Sequence, residues 1–405
     1  MSTRSQVWTW IASVGLVVPS FAAAQDRTER DVVELIVREG PQAAAIRAEA
    51  EVVRREQQVR LAYPNPSFTY SRESAGFTEF YQAEQTLPIF GVRHALSRAG
   101  VAATAAAEAE RDVRLWALRS EAATAVARLV AEQKRLESTR AQFAEVERLI
   151  EILRTREREG EGSRFDRVRA EHELRDIRQA ETVAAVGLAE SRAVLAGMLP
   201  RDMPVPTIVG PSASPPSPAA PAIDSLMARA TAARAELRAL QQLGERATLE
   251  GEAARRARLP SPTVFGGVKR ADDGSRRETG GVFGLNLSLP LFDTGGRESA
   301  RWEAEHTRLG AERTAIESRV RSEIASASEV MALRQTALAR EQEGTADELV
   351  QIAAVAYREG ELGILELLDA VRTASRARIR TIDLQLDARL AQIALERALG
   401  ETLWP

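Results

Sequence analysis

The sequence predicts a mainly α-helical protein with a small β portion, built from two copies of a helix–strand–strand–long helical hairpin unit. Three observations predict this fold. Short motifs recur about 200 residues apart, apolar residues in long segments recur every seven positions, and short segments alternate apolar with polar residues. The composition agrees, because 28% of the 405 residues are charged and only 5% are aromatic. Such a composition is typical of long helices in coiled-coil contact.

The first 24 residues have the pattern of a secretory signal peptide. Arg4 supplies positive charge, the segment 7–18 is mostly apolar, and three alanines at 22–24 offer a small-residue cleavage site. The apolar segment is too short for a membrane-spanning helix, which needs roughly 20 apolar residues. We therefore expect an exported protein. Because the sequence contains no cysteine, we expect neither a disulfide nor a lipid anchor.

Four short motifs occur twice, in the same order and at nearly one offset. Leu87-Pro88-Ile89-Phe90 returns as Leu289-Pro290-Leu291-Phe292, and Glu159-Gly160-Glu161 returns as Glu359-Gly360-Glu361. The other pairs are Pro64-Asn65-Pro66 with Pro260-Ser261-Pro262, and Leu195-Ala196-Gly197 with Ala398-Leu399-Gly400. This pattern indicates a duplication. The first repeat is expected at 25–199 and the second at 223–405, with a Pro-rich linker at 200–222.

Each repeat is expected to open with a helix, at about 29–62 and 223–258. A Pro-x-Pro element ends it, because proline cannot continue a helix. Two strands follow in each repeat, at about 67–73 and 77–86 in the first and at about 263–270 and 281–289 in the second. In the fourth strand, Phe283, Leu285 and Leu287 alternate with small or polar residues, which predicts one apolar face.

A long helical hairpin is expected to complete each repeat, at about 92–199 and 297–400. Leu129, Leu136, Phe143 and Ile150 are spaced seven residues apart, as in a coiled coil. A helix over about 92–158 would be roughly 100 Å long at the usual rise per residue. A helix of that length cannot be buried in a globule of this size. The hairpins therefore need partners along their whole length.

Four amphipathic strands are too few to close a membrane barrel. A bilayer leaves unpaired strand edges without hydrogen-bond partners, and single-chain barrels start at about eight strands. If these strands span a membrane, several chains must share one barrel. The apolar residues Phe283, Leu285 and Leu287 are then expected to face lipid.

Two segments carry a resemblance to a known family. They are Gln85–Gly91, between a strand and a long helix, and the turn Tyr357–Ala370. With the duplicated plan over about 29–400, the chain resembles the outer membrane efflux (TolC-like) proteins. The resemblance implies a homotrimer with a twelve-stranded outer-membrane β-barrel, continued by a periplasmic α-helical coiled-coil barrel. It also implies a passive exit duct, the channel subunit of a tripartite efflux or type I secretion system.

The resemblance further implies the location and the partners. The channel would lie in the outer membrane of a Gram-negative bacterium, in contact with outer-membrane lipid and with a large periplasmic part. Its partners would be two further copies of itself, a periplasmic adaptor and the inner-membrane pump that delivers the substrates.

The same resemblance assigns roles to residues near the two hairpin turns. Glu366 and Asp369 correspond to acidic residues that ring the periplasmic entrance, although acids at a helix start also stabilise the helix dipole. Asp166 and Tyr357 correspond to a bonded pair that holds the resting tip closed. A basic gate residue of the family falls on Leu362, so part of that gate is missing or rebuilt. The turn residues expected to dock the adaptor are Gly160, Gly162, Ser163, Gly360 and Gly363.

Two other function classes were weighed. A periplasmic coiled-coil scaffold without a pore would account for the long helices, but not for the amphipathic strands. An enzyme is not expected, because the sequence shows no catalytic triad and no phosphate-binding motif. We expect no cofactor and no metal, since His94, His172 and His306 lack ligand spacing. The net charge of −3 gives no indication of nucleic-acid binding. Drug, metal ion and protein all remain open as the exported substrate.

Overall fold

The computed structural model describes residues 26–73, 78–209, 222–272, 274–289, 291–292, 294–342 and 346–403. The expected signal peptide lies outside these ranges, and so does most of the expected linker. Within them, two repeats follow the same order of helices and strands, which confirms the mainly α-helical, duplicated fold. None of the helices in these ranges has the length and apolar content that a membrane-spanning helix requires.

The first repeat has four helices and two strands. They are α1 (Glu29–Glu39), α2 (Pro41–Arg60), β1 (Ser67–Glu73), β2 (Thr78–Thr86), α3 (Val92–Glu159) and α4 (Arg164–Ala196). The second repeat, as far as it is described, adds α5 (Ile223–Ala233), α6 (Ala235–Ala257), β3 (Pro262–Asp272), β4 (Arg277–Leu287), α7 (Gly296–Gln342), α8 (Ala346–Arg358) and α9 (Ile364–Leu399). The long helix expected over about 297–357 is described as α7 and α8.

The helix that opens each repeat is divided in two, whereas the sequence predicted one continuous helix. In the first repeat the break falls at Gly40, whose backbone is extended, before a proline at the first position of α2. That proline has no N–H to donate and restricts the residue before it. In the second repeat Arg234 takes the same extended conformation between α5 and α6. Its guanidinium donates from Nε to the carbonyl oxygen of Ala398 at 2.8 Å, and so ties the break to the end of α9.

The hairpin of β3 and β4 is longer towards its loop than the sequence predicted. Pairing continues to Asp272 opposite Arg277, and these two side chains form an ion pair at 3.0 Å. The amide of Gly274 donates to the Asp272 carboxylate at 3.1 Å, which tightens the connection. At the other end β4 stops at Leu287, because its partner strand begins at Pro262.

The four strands form one antiparallel sheet in the order β1-β2-β3-β4. The central pair joins the two repeats, from Thr78 opposite Ala271 to Thr86 opposite Thr263. Strands β1 and β4 lie at the outer edges of the sheet. A single chain therefore presents two strand edges that another chain could pair with.

Apolar clusters between the long helices hold the two repeats together. One cluster joins α1, α3, α4 and α9, and includes Ile36, Leu129, Leu195 and Ile393. A second lies near the hairpin turns and includes Ile150, Ile177, Leu367 and Val371. A third joins α5, α7 and α9 through Leu226, Val320, Ile324 and Leu399. The expected heptad residues of α3 are buried, except Phe143, which is partly buried.

Candidate functional site

The first hairpin turn, between α3 and α4, ends α3 with a glycine in the left-handed region. Gly160 has a φ of +81°, and its amide donates to the carbonyl of Glu157 at 3.2 Å. The next amide, of Glu161, reaches back to the carbonyl of Arg156 at 2.9 Å. These two bonds form a Schellman motif, which satisfies carbonyls at a helix end.

The second hairpin turn, between α8 and α9, repeats this geometry 200 residues later. Gly360 has a φ of +79°, and its amide donates to the carbonyl of Tyr357 at 3.3 Å. The amide of Glu361 donates to the carbonyl of Ala356 at 2.9 Å. The Glu-Gly-Glu motif seen twice in the sequence is thus the same helix end built twice, since glycine adopts a positive φ without steric cost.

The two turns differ in how the next helix begins. In the first, the Ser163 hydroxyl accepts a backbone N–H of α4 at 3.1 Å and caps the helix. In the second, Gly363 occupies the cap and supplies no side chain. A Cβ added to Gly162 would lie 3.0 Å from the backbone nitrogen of Glu157, so this turn is tight. The matching position in the second turn is Leu362, which packs against the second apolar cluster, near the hairpin turns. We call the two hairpin turns and this cluster the tip.

The expected entrance acids, Glu366 and Asp369, are both exposed at the start of α9. The Glu366 carboxylate folds back over the helix start, where a Cβ on Gly363 would lie 2.8 Å from its Oε2 atom. Such an acid is stabilised by the positive end of the helix dipole. The negative charge of Asp369 acts on Arg372, one helical turn further along α9. Both carboxylates remain available to solvent and to ions.

The expected gate pair, Asp166 and Tyr357, lies where the two hairpin turns meet. Burial raises the pKa of the Tyr357 hydroxyl above its usual value, and the negative charge of Asp166 raises it further. The Arg156 guanidinium, 5.4 Å from the centre of the tyrosine ring, opposes this shift. Tyr357 of the second hairpin is therefore within electrostatic reach of two charged groups of the first, Arg156 and Asp166. Sequence reasoning identified Asp166 and Tyr357 but missed Arg156, whose contact with the ring depends on how α3 and α8 both pack against α9.

A second link between the repeats was not found from the sequence. The Arg372 side chain of α9 forms a two-pronged ion pair with the Glu173 carboxylate of α4, with an Nε–Oε1 distance of 2.8 Å. Only 6% of the Glu173 side chain is exposed. The pKa of Arg372 is raised, chiefly by its hydrogen bonding to Glu173, with smaller contributions from the charges of Asp176 and Asp369.

The sheet has one predominantly apolar face. The register places Leu285 opposite Val264, and Phe283 opposite Gly266. Since directly paired residues share a face, the apolar side chains fall on the same side. This face carries the following apolar and aromatic residues, given from β1 to β4: Phe68, Tyr70, Tyr81, Ala83, Val264, Val268, Phe283, Leu285 and Leu287. The other face is more polar, with Thr69, Gln82, Glu84, Lys269 and Asn286, and it also carries Phe80, Phe265 and Val282. Leu285 is 63% exposed in the single chain.

A surface of this kind marks a contact with a membrane or with another protein, because soluble monomers rarely expose large contiguous apolar patches. The tips and the sheet occupy the two ends of the long helices. The chain therefore offers one end suited to an apolar environment and another end lined with exposed carboxylates.

Comparisons with known proteins agree with this arrangement. Residues 226–401 match the outer membrane efflux protein family. No curated protein matches the chain.

Several solved structures share the fold over nearly the whole chain. The outer membrane protein VceC of Vibrio cholerae is 18% identical with a TM-score of 0.67, covering 93% of this chain and 97% of that one. The MtrE outer membrane channel of Neisseria gonorrhoeae, in its open state, is 17% identical with a TM-score of 0.70, covering 93% and 89%. The CmeC outer membrane channel of Campylobacter jejuni is 13% identical with a TM-score of 0.69, covering 100% and 96%.

Proposed function

We propose that this chain is the outer-membrane channel subunit of a tripartite efflux or type I secretion system. The match of residues 226–401 to the outer membrane efflux protein family and the fold shared with solved outer membrane channels support the proposal. One observation carries the proposal. A four-stranded sheet with one apolar face and two outer strand edges sits at the end of long helical hairpins. The channel would be a passive exit duct. An inner-membrane pump would deliver substrates to it through a periplasmic adaptor.

Strand pairing is the physical reason for an oligomer. In hydrocarbon, every backbone N–H and C=O must find a partner, so the outer edges β1 and β4 cannot remain open. Pairing β1 of one chain with β4 of the next satisfies both edges. Three chains would give twelve strands, with the apolar face towards lipid and the polar face towards the lumen. The hairpins would continue the duct into the periplasm.

A periplasmic scaffold without a pore is the alternative. A scaffold has no use for an apolar sheet face that stays in water, and exposure of Leu285 and Phe283 would promote aggregation. The family match also favours the channel over the scaffold.

The two hairpin turns are proposed to dock the adaptor. A Cβ added to Gly160 or to Gly360 would meet no described atom within 4 Å, so both glycines face open space. Rigid helical arms hold these turns at one end of the molecule, and exposed turns on rigid scaffolds commonly carry binding contacts. Ser163, Gly162 and Gly363 complete the docking turns.

The test of the channel proposal is made on native outer membranes. We expect chemical crosslinking to give trimers, and the purified trimer to produce discrete conductance steps in planar bilayers. Monomers alone after crosslinking would contradict the trimer. Trimers that never conduct, including with the tips opened by mutation of Tyr357, would support the scaffold instead.

The acids at the entrance give a prediction about ion selectivity. The double variant Glu366→Gln with Asp369→Asn should lower the preference for cations, because a trimer loses six carboxylates at one narrow mouth. Trimers should persist, since exposed acids at a helix start contribute only about 0.3–1 kcal/mol each. The reversal potential across a salt gradient in planar bilayers measures the preference.

The matched control removes two exposed acids from α8, as Asp347→Asn with Glu348→Gln. These residues lie roughly 15 Å from the turn along the helix, so the control should keep the wild-type reversal potential. An equal shift in both double variants would mean that selectivity depends on total charge. No shift in either would reduce Glu366 and Asp369 to stabilisers of the helix start.

A further inference from the structure

Four helix ends meet directly below the sheet. The C-terminal end of α6 lies against the starts of both α3 and α7. Ala253 of α6 packs with Ala95 and Ala99 of α3. On its other side, a Cβ added to Gly295 would lie 2.5 Å from the carbonyl oxygen of Ala254. The end of α2 joins the group through the ion pair of Arg60 with the buried carboxylate of Glu250, at 2.5 Å. Side chains from both repeats therefore meet in one region next to the sheet.

The repeated Leu-Pro-x-Phe motif turns the chain from strand to helix in this region. The amide of Ile89 donates to the carbonyl of Leu87 at 2.9 Å, and the amide of Leu291 donates to that of Leu289 at 2.9 Å. The large apolar side chains of both turns lie at the surface. Ile89, Phe90, Leu291 and Phe292 are all exposed, and Phe292 is 98% exposed. The duplication has thus placed two pairs of large apolar side chains beside the apolar sheet face.

Arginines surround these apolar residues. Arg256 and Arg258, at the end of α6, are exposed. Arg93, at the start of α3, lies with its guanidinium 3.7 Å from the centre of the exposed Tyr63 ring. Among the residues that the structure describes, none of these three guanidiniums forms an ion pair. Nearby, Arg98 and Arg255 pair with Glu252 and Glu303, each at 3.2 Å.

The start of α3 adds to this positive charge. The first turn of α3 contains no acidic residue, and its cap, Gly91, has no side chain to accept the free N–H groups. The Arg256 guanidinium lies 3.7 Å from the position of a Cβ on that glycine. A helix start carries partial positive charge, so this helix end and the Arg256 guanidinium add their positive charges in the same place. An anionic partner complements this charge.

We propose that this surface, defined by Tyr63, Ile89, Phe90, Leu291, Phe292, Arg93, Arg256 and Arg258 and here named the junction surface, binds the headgroups of anionic phospholipids. The proposal rests on the proposed function, since it needs the sheet to lie in a membrane. Aromatic and aliphatic side chains at a membrane boundary enter the acyl region. Arginine extends its guanidinium to the headgroups and bonds phosphate with its planar fork. In the proposed barrel the junction surface lies next to the strand ends, which places its arginines at headgroup depth.

The test measures lipid retained by the assembled full-length channel. The channel is exchanged into mild detergent containing equal amounts of phosphatidylglycerol and phosphatidylcholine, and bound lipids are counted by native mass spectrometry. We expect the wild-type channel to retain more phosphatidylglycerol. In the variant Arg93→Gln with Arg256→Gln and Arg258→Gln, this preference should fall at least tenfold, since each cation near an anionic surface strengthens binding by roughly fivefold.

The matched control removes three exposed arginines from the first hairpin, as Arg148→Gln with Arg169→Gln and Arg192→Gln. It should keep the wild-type preference. Equal retention of the two lipids by the wild-type channel would overturn the proposal and needs no variant. An equal loss in the control would also overturn it, because the preference would then follow net charge. Conductance is recorded on the same preparations, so a conducting channel without lipid preference contradicts this inference alone, and a chain that never conducts contradicts the proposed function.

Discussion

Replacing Leu285 by arginine should destabilise the membrane-inserted trimer by roughly 1–3 kcal/mol, between the cost of an arginine on the lipid face at the middle of the bilayer and its cost near the interface. Leu285 lies in the interior of β4, opposite Val264 and on the same face as Phe283 and Leu287. In the proposed barrel this face meets hydrocarbon. A guanidinium there has neither water nor a carboxylate at its depth.

The matched control is the neighbouring residue of the same strand. Asn286 lies opposite Thr263 on the polar face, so Asn286→Arg should point into the water-filled lumen and cost less than about 1 kcal/mol. Urea unfolding of trimers in lipid vesicles, followed by heat-modifiable migration in gels, compares the two variants. Equal destabilisation would mean that the faces are wrongly assigned. Equal stability of both variants would contradict the barrel.

The repeated architecture could be predicted from the sequence because it rests on local signals. Proline ends a helix wherever it occurs, strand alternation has a period of two, and Glu-Gly-Glu marks a helix end that needs a positive φ. Gly160 and Gly360 have nearly the same φ and the same two backbone bonds. A motif that appears twice in the sequence therefore appears twice in the backbone.

The breaks at the start of each repeat were harder to predict. Gly40-Pro41 is a visible signal, since proline favours the first position of a helix and disfavours helical geometry in the residue before it. Arg234 carries no comparable signal. Its extended backbone is held by contacts with Ala398 and Glu323, far away in the sequence. Only the packing of α7 and α9 around the break explains it.

The candidate site was predictable in position but not in its contacts. The sequence located the tips and the exposed acids, because turns and helix starts are local features. The contacts between the tips depend on how α4, α8 and α9 are aligned. With so many arginines and acids on these helices, sequence spacing cannot select one pair. Arg156 beside Tyr357, and Arg372 bound to Glu173, became visible only in the structure.

The Arg372–Glu173 pair joins the second hairpin to the first beside the apolar cluster near the hairpin turns. Leu362 takes the position where the family's basic gate residue was expected and packs into the apolar cluster of the tip. Arg372, ten residues further along the chain, supplies a charged contact between the second hairpin and the first. We infer that this pair helps to hold the tip in its resting arrangement.

Replacing Arg372 by methionine should therefore loosen the tip more than any other single change to a charged residue there. It leaves the Glu173 carboxylate without its partner while only 6% of that side chain is exposed. Removing one member of a buried ion pair costs about 3–5 kcal/mol, and we expect the lower end because the Arg372 side chain is 40% exposed. Amide hydrogen exchange in α4 and α9 near the pair should accelerate about a hundredfold, since each factor of ten corresponds to about 1.4 kcal/mol. Resting conductance should rise.

Two controls separate the buried charge from general damage. Arg154→Met removes an arginine of α3 from its more exposed pair with Glu171 of α4, the helix that also carries Glu173, and should cost less than about 1 kcal/mol. The double variant Glu173→Leu with Arg372→Met removes both charges, and should recover most of the lost protection because an apolar pair can replace a buried ion pair at little cost. If the ion pair itself holds the tip closed, the resting conductance of this double variant should still differ from that of the wild type. Exchange rates that stay high in the double variant would mean that Arg372 stabilises the tip through contacts other than Glu173. Unchanged conductance in both the Arg372→Met variant and the double variant would exclude the ion pair from gating.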